Sequence, residues 1–433
     1  MNKPVFVISC PFDTYSGYGA RSRDIIKALI ELDKYDIKLL PQRWGSTSWG
    51  FCKDHPEWEY LLNHSLSKLD SKPNIWMQIT IPNEFQPVGD YNIGCTAGIE
   101  ADACKLEWVE GLNKMNMNLV SSTFAKNTFE KMVFEKKSKQ NPNQVISTVR
   151  VEKPIHVIFE GVNLDIYKPL KKSELSTFDF SSIKESFCYL FVGHWMQGEF
   201  GHDRKNVSLL VKAFYETFKN KKRKPALILK SSTGVAGYMS RDEILDKIKN
   251  IRKSINSKIL PNIYVLNGEF TDSEMNELYN NPKVKAMVSL TKGEGFGRPL
   301  LEFSLTNKPI IATNWSGHVD FLKKDFSALM EGKLSKIHPS AQQKDMLIED
   351  SEWFNVNHNE VGRYLTEVFE QYKDWKVKGK RQGFYSRSNF SFAKMEEQLD
   401  KYLISYLPEF PEQVNISLPK FDNTPKLPKL KKV

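Results

Sequence analysis

Short runs of β-branched and aromatic residues recur along the chain, each followed by a polar loop and then by apolar positions at helical spacing. In the first half the runs are Val5–Ser9, Ile37–Leu40, Ile75–Ile79, Ile93–Thr96, Leu119–Ser121 and Ile155–Phe159. Helical spacing follows several of them, over Arg21–Leu32 and Phe124–Lys136. The second half repeats the scheme with runs at Tyr189–Val192, Ala226–Leu229, Ile263–Leu266, Ala286–Leu290 and Pro309–Ala312. Its helical stretches are Val207–Phe218, Arg241–Lys253 and Met275–Tyr279. Strands alternating with helices predict an α/β fold of parallel sheets covered on both faces. Two such series predict two Rossmann-like domains, with ligands at the carboxyl ends of the strands.

Between the series, periodicity fades where Pro169 and many Ser and Lys residues occur, which places an interdomain connection at 166–187. The expected division is 1–165, then 188–390, then a helix over 391–406 returning to the first domain. The polar stretch Lys136–Gln144 reads as an exposed loop, and 407–433, rich in Pro and ending PKLPKLKKV, reads as an extended basic tail.

Composition narrows the class. A chain of 433 residues with 40% hydrophobic and 26% charged residues fits a globular protein of two or three domains. No run approaches the roughly 18 apolar residues of a membrane-spanning helix. The opening MNKPVFVISCPFD has an apolar run that stops at Pro11 and Asp13, so a first strand is expected there and not a signal peptide. Five scattered cysteines (Cys10, Cys52, Cys95, Cys104, Cys188) without a C-x-x-C pair argue against a disulfide framework or a structural zinc site. A reducing, cytoplasmic location is expected. The net charge of +10 favours anionic ligands, whether nucleotides, lipid heads or nucleic acid.

The most informative segment is Lys292-Gly293-Glu294-Gly295-Phe296-Gly297-Arg298-Pro299-Leu300-Leu301-Glu302. A strand ends before it, a glycine-rich loop follows, and proline near the start of a helix is tolerated. Free backbone N–H groups at such a turn suit a phosphate. Glu294 and Glu302 make sense beside a phosphate cradle if they accept hydrogen bonds from sugar hydroxyls. They are also compatible with a solvated loop glutamate and a glutamate favouring a helix start.

This segment resembles the E-x7-E motif of the family-4 retaining glycosyltransferases, including the intervening Phe296-Gly297. Gly161-Val162-Asn163 through Pro169 is similar to that family's segment at the domain junction, and Phe390-Ser391-Phe392 to its return crossing. Arg204-Lys205-Asn206 resembles its basic motif for the donor diphosphate; Asn267-Gly268-Glu269-Phe270-Thr271 resembles its loop beside the nucleoside. Gly17-Tyr18-Gly19 resembles its N-terminal glycine loop.

The resemblance implies a GT-B fold, a first domain presenting the acceptor, and a second domain holding a nucleotide diphosphate sugar. It implies donor contacts from Gly17, Gly19, Gly193, Arg204, Lys205, Lys230, Gly268, Phe270, Glu294, Gly295, Phe296, Gly297 and Glu302. Cations at Arg204 and Lys205 would stabilise charge on the departing diphosphate. Two departures stand out. His194, not arginine, follows Gly193, and Thr96–Asp102 lacks the family's histidine beside the donor sugar. Glu100 and Asp102 stand in that region, either as catalytic groups orienting or deprotonating an acceptor hydroxyl or as caps of a helix near Lys105. With no D-x-D and no H-E-x-x-H, no metal and no cofactor are expected.

Phrases such as SGYGARSRD and LDKYDIKLLPQRWG are similar to glycosyltransferases of tailed viruses, which would place the chain in the host cytoplasm. Acceptor candidates are then hydroxylated bases in DNA, cell-surface glycan and virion protein. The rival readings are a sugar phosphorylase or synthase of the same fold and a non-catalytic basic module binding nucleic acid.

Overall fold

The computed structural model describes residues 3–45, 47–137, 144–342 and 346–410. The chain opens with β1 (Val5–Cys10), α1 (Gly17–Glu31), β2 (Asp36–Pro41), the single turn α2 (Phe51–Asp54), β3 (Ile75–Ile79) and β4 (Tyr91–Thr96). It continues with α3 (Leu106–Lys114), β5 (Met117–Val120), α4 (Thr123–Glu130), the hairpin β6 (Val133–Lys137) and β7 (Val145–Arg150), and β8 (Ile155–Val157). Six of these strands form a parallel sheet in the order β2-β1-β3-β4-β5-β8.

The second series is β9 (Cys188–Val192), α5 (Val207–Phe218), β10 (Ala226–Lys230), α6 (Tyr238–Lys253), β11 (Ile263–Leu266), α7 (Asp272–Asn280) and β12 (Val284–Val288). Then come α8 (Arg298–Ser304), β13 (Ile310–Thr313), β14 (Ala328–Met330) and an antiparallel hairpin, β15 (Gly332–Lys336) with β16 (Glu352–Val356). The helices α9 (His358–Glu370), α10 (Tyr372–Asn389) and α11 (Phe392–Tyr406) end the described chain. The second sheet is also parallel, in the order β11-β10-β9-β12-β13-β14. Both orders reverse direction once, between β1 and β3 and between β9 and β12. Those reversals open a crevice above the strand ends where such sheets bind ligands.

The strands are apolar at almost every position because each face meets a separate core. In β9, Tyr189 and Phe191 pack beneath α5, α6 and α9, while Cys188 and Leu190 face the core shared with α7 and α8. In β1, Phe6, Ile8 and Cys10 face α1, and Val7 faces the opposite core with Trp108. Met395, Leu399 and Leu403 recur at every fourth position of α11 and pack into the α1 side of the first sheet. The chain therefore crosses between the sheets twice, side by side. Val162 N–H donates to Phe390 O and Phe392 N–H to Val162 O, both at 2.9 Å.

Three local expectations are corrected. The helix expected over Phe124–Lys136 stops at Glu130, because Val133–Lys137 is drawn into an antiparallel ladder with Val145–Arg150. Lys136 thus belongs to a strand; 138–143 of the expected loop lie outside the described residues. Of the expected tail, Leu407 and Phe410 pack against the first core, and 411–433 lie outside the described residues. No described helix is long and apolar enough to cross a membrane.

Candidate active site

The loop after β12 reaches the crevice of the second sheet. It enters α8 through Gly297, whose φ of +95° would strain any other residue except at a cost. Two more glycines are dictated by close approach. A Cβ on Gly293 would sit 2.1 Å from Glu100 O, and one on Gly295 would sit 2.8 Å from Ala97 O. The loop backbone is therefore pressed against the segment following β4 of the first sheet. Ser121 Oγ, at 3.1 Å from Ala97 O and 3.2 Å from Gly295 O, ties the two together.

Glu294 is held from several sides. Its N–H donates to Ser316 Oγ at 3.0 Å, its carbonyl accepts from Gly317 N–H at 3.0 Å, and its Oε1 lies 2.5 Å from Lys205 Nζ. Arg204 Nη1 is 3.8 Å from Glu294 Oε2 and donates to Gly293 O at 2.7 Å, while Nη2 is 3.4 Å from Glu100 Oε1. Burial alone would raise the Glu294 carboxyl; Lys205 and then Arg204 outweigh it and bring its pKa to about 2. Glu294 is a carboxylate at every physiological pH. Burial also lowers the pKa of Lys205, against the pull of Glu294. The Glu294 carboxylate against the ammonium makes the two an ion pair in the ligand-free protein, while the like charge of Arg204 works against it.

Glu302 sits deeper, in a cluster where one guanidinium serves several carboxylates. Tyr279 OH donates to Glu302 Oε2 at 3.0 Å and Arg298 Nε lies 3.2 Å from Oε1. The same Arg298 lies 2.7 Å from Asp24 Oδ2 and 3.8 Å from Glu160 Oε2. Burial raises Glu302 to a pKa of about 7 despite Arg298. It raises Glu160 as well.

The remaining candidates separate. Gly193 N–H donates to Lys230 O at 3.1 Å, and His194 Nδ1 lies 2.8 Å from Ser232 Oγ. Burial and then Lys205 lower the His194 pKa, so the position where the resembling family carries an arginine holds a neutral ring here. Lys230, at the end of β10, lies 5.3 Å from the centre of the Phe270 ring, with its pKa lowered by burial. Gly268 precedes Phe270 closely enough that its Cβ would touch the ring at 3.4 Å. Beside Glu269, Phe270 and Thr271 a cavity of about 290 Å³ opens towards Tyr15, Arg23 and Phe51 of the first sheet's loops. Gly19 is fixed by crowding, its Cβ meeting Thr14 O at 2.4 Å, and its N–H is capped by Ser16 Oγ at 2.9 Å. Gly17 has open space around it.

Two candidates point elsewhere. The Phe296 ring is buried against Phe321, with centroids 5.1 Å apart, so only its backbone borders the loop. Asp102 Oδ1 accepts from Glu352 N–H at 2.7 Å, joining β16 to the first sheet's loop. It does not cap α3, whose N-cap is Lys105 without a side-chain cap bond. Residues unsuspected from sequence complete the site. Ser316, at φ +76° and ψ −164°, holds the strained turn that receives Glu294. His318 is buried beside Gly297 with Nε2 2.6 Å from Thr313 O and Nδ1 without a partner. A Ser-Gly-His run just after a strand end was the available signal. Among the described residues no group of three or more His, Cys, Asp or Glu is placed to hold a metal ion.

No family profile and no curated protein matches the chain by sequence. Among solved structures the chain is similar to a glycosyltransferase from Rickettsia africae ESF-5, at 15% identity, 95% of this chain, 100% of that one and a TM-score of 0.63. It is similar to a sucrose-phosphate synthase from Thermosynechococcus elongatus at 11% identity, 93% of this chain, 99% of that one and a TM-score of 0.60. HepE of Anabaena in complex with UDP-glucose matches at 12% identity, 93% of this chain, 100% of that one and a TM-score of 0.60. The two parallel sheets facing each other across these loops are thus the GT-B fold.

Proposed function

We propose that this chain is a retaining, metal-independent glycosyltransferase that moves a sugar from a nucleotide diphosphate sugar to a hydroxyl acceptor. The observation that carries the reading is the partly buried Lys205–Glu294 ion pair, with Arg204 beside it, at the crevice of the second sheet. In the ligand-free protein these charges neutralise one another. A diphosphate draws the two cations to itself and frees Glu294 to accept hydrogen bonds from the donor sugar's hydroxyls. With a pKa near 2, Glu294 acts as an acceptor and electrostatic anchor, not as a proton donor. As the glycosidic bond breaks, Arg204 and Lys205 stabilise the charge gathering on the leaving diphosphate, the kind of preorganised contact that lowers a barrier most. His194 supplies no third cation.

Glu302, held by Tyr279 and Arg298, accepts from a hydroxyl on the nucleoside side of the donor, and the cavity beside Phe270 takes the base. The Anabaena protein of this fold was solved with UDP-glucose, which makes UDP-glucose the first donor to test. Glu100 is engaged by Arg204 and Asp102 by the backbone of Glu352, so the acceptor proton passes to the donor phosphate and both carboxylates position loops. Departure and entry then occur on one face of the sugar, with retention.

The acceptor candidates are hydroxylated bases in DNA, cell-surface glycan and virion protein. The basic stretch Lys221–Lys224 would suit DNA phosphates, and it follows the far end of the 12-residue α5, roughly 18 Å of helix from Arg204. The deciding experiment is a panel of nucleotide sugars read for hydrolysis and transfer, with Glu294→Ala as control. Absence of both turnover and nucleoside diphosphate binding across the panel would overturn the reading.

A further inference from the structure

A cavity of about 370 Å³ lies between the start of α5 and the β15–β16 hairpin, and none of the donor candidates lines it. Among the described residues its charged and ionisable lining consists of Lys292, Lys336, His202, His338 and His358, without an Asp or Glu. Lys292 is 3% exposed, and its Nζ donates to Gly201 O and Asn355 Oδ1, both at 2.7 Å. That uses two of the ammonium's three donors. Lys336, at the mouth, pairs with exposed Asp350 at 2.7 Å.

Two lining residues carry buried polar atoms without partners, Asn206 Oδ1 and Trp353 Nε1, on side chains 1% and 5% exposed. One is an acceptor and the other a donor, and such atoms cost free energy until a partner arrives. The rings of His202 and His338 stack 4.0 Å apart, and Leu209, Ile337 and Val356 add apolar wall.

We infer that this cavity binds a hydroxylated organic anion of hexose-phosphate size. Lys292 and the imidazoles meet the anionic group and the apolar wall covers the ring; Asn206 Oδ1 and Trp353 Nε1, sealed from solvent in the ligand-free protein, gain a ligand hydroxyl and a ligand oxygen as partners when their side chains turn into the cavity. The walls are continuous with the donor corner. Lys292 N–H donates to Arg204 O at 2.8 Å, and Asn206 follows Lys205 directly. Occupancy therefore bears on where Arg204 stands. The binding itself does not rest on the glycosyltransferase reading.

The test is calorimetric titration of glucose 6-phosphate into the full chain with excess UDP present, so that the Arg204–Lys205 corner is not what is measured. Glucose and inorganic phosphate are titrated separately. Glucose 6-phosphate should bind with a Kd under about 1 mM, and each fragment at least about tenfold more weakly. His338→Ala should weaken binding by about tenfold and Lys336→Glu by about threefold. Lys336 is exposed, so its variant reports even where His338→Ala lowers the Tm. The inference is overturned by no binding to the wild type, by inorganic phosphate binding as tightly as the sugar phosphate, or by Lys336→Glu binding as the wild type does.

Discussion

Glu294 and Lys205 neutralise each other in the ligand-free chain, so removing either side chain affects the bound and unbound protein differently. Glu294→Ala should lower turnover at least a hundredfold, the loss expected of one well-placed charged hydrogen bond worth about 2.7–4 kcal/mol. Steady-state kinetics with the best donor check this, and near-wild-type turnover would remove Glu294 from the site. The two glutamates should also respond oppositely to pH. Glu294, depressed to about 2, contributes stability that is present above the ordinary carboxyl range and lost only as pH falls through about 2. Glu302, raised to about 7, contributes stability that is complete below its ordinary value and lost as pH rises through about 7. Glu302→Gln should therefore flatten the decline in Tm between pH 5 and pH 8 in ligand-free protein. An unchanged slope would show that Arg298 keeps Glu302 ionised. The motif residues themselves were legible from sequence. The cluster of Asp24, Glu160 and Glu302 around one guanidinium was not, because its members come from three separate segments.

The glycine loop shows how tightly elements of the two sheets meet. Gly293→Ala would place a methyl 2.1 Å from a backbone oxygen of the first sheet's loop, which cannot move as a side-chain tip can. The substitution should cost about 1–3 kcal/mol and most of the activity, because the loops must part. Gly17→Ala, with open space around it, should leave the Tm within about 1 °C. Thermal melts of the two variants decide the matter, and equal stability would mean that the contact between the loops is not maintained in solution. At this scale periodic helices were read well: Val207–Phe218 is α5 from end to end. The β6–β7 and β15–β16 hairpins were not, since short ladders pair by through-space neighbours and leave no helical or long alternating signature.

For the molecule as a whole, a nucleoside diphosphate should bridge Arg204, Lys205 and the Gly297 loop and raise stability by about 2.7 kcal/mol at 100 times its Kd. Differential scanning fluorimetry with UDP and its relatives reads the shift. Turnover should persist in excess EDTA; complete loss restored by manganese or magnesium would reveal a ligand set that the metal-independent reading lacks. If hydroxylated DNA is the acceptor, labelled sugar should pass to DNA containing 5-hydroxymethylcytosine and not to unmodified DNA, with affinity falling steeply as salt rises. Background labelling of both, with a donor the enzyme hydrolyses, eliminates that base.

From its sequence alone the chain determined two alternating strand–helix series, a glycine-rich turn after a strand, and Glu294, Lys205 and Arg204 as the groups to watch. Those features are local: hydrophobic spacing and turn chemistry act within a few residues of themselves. Tertiary structure alone decided that Lys205 and Glu294, 89 positions apart, share one ion pair, and that Phe296 turns inward. It also decided that Asp102 serves a hairpin, and that a cationic cavity adjoins the Arg204–Lys205 corner. The physical reason is common to all four. Burial, and the electrostatics that burial amplifies, depend on which distant segments are packed together, and that distance through space is not written in the distance along the chain.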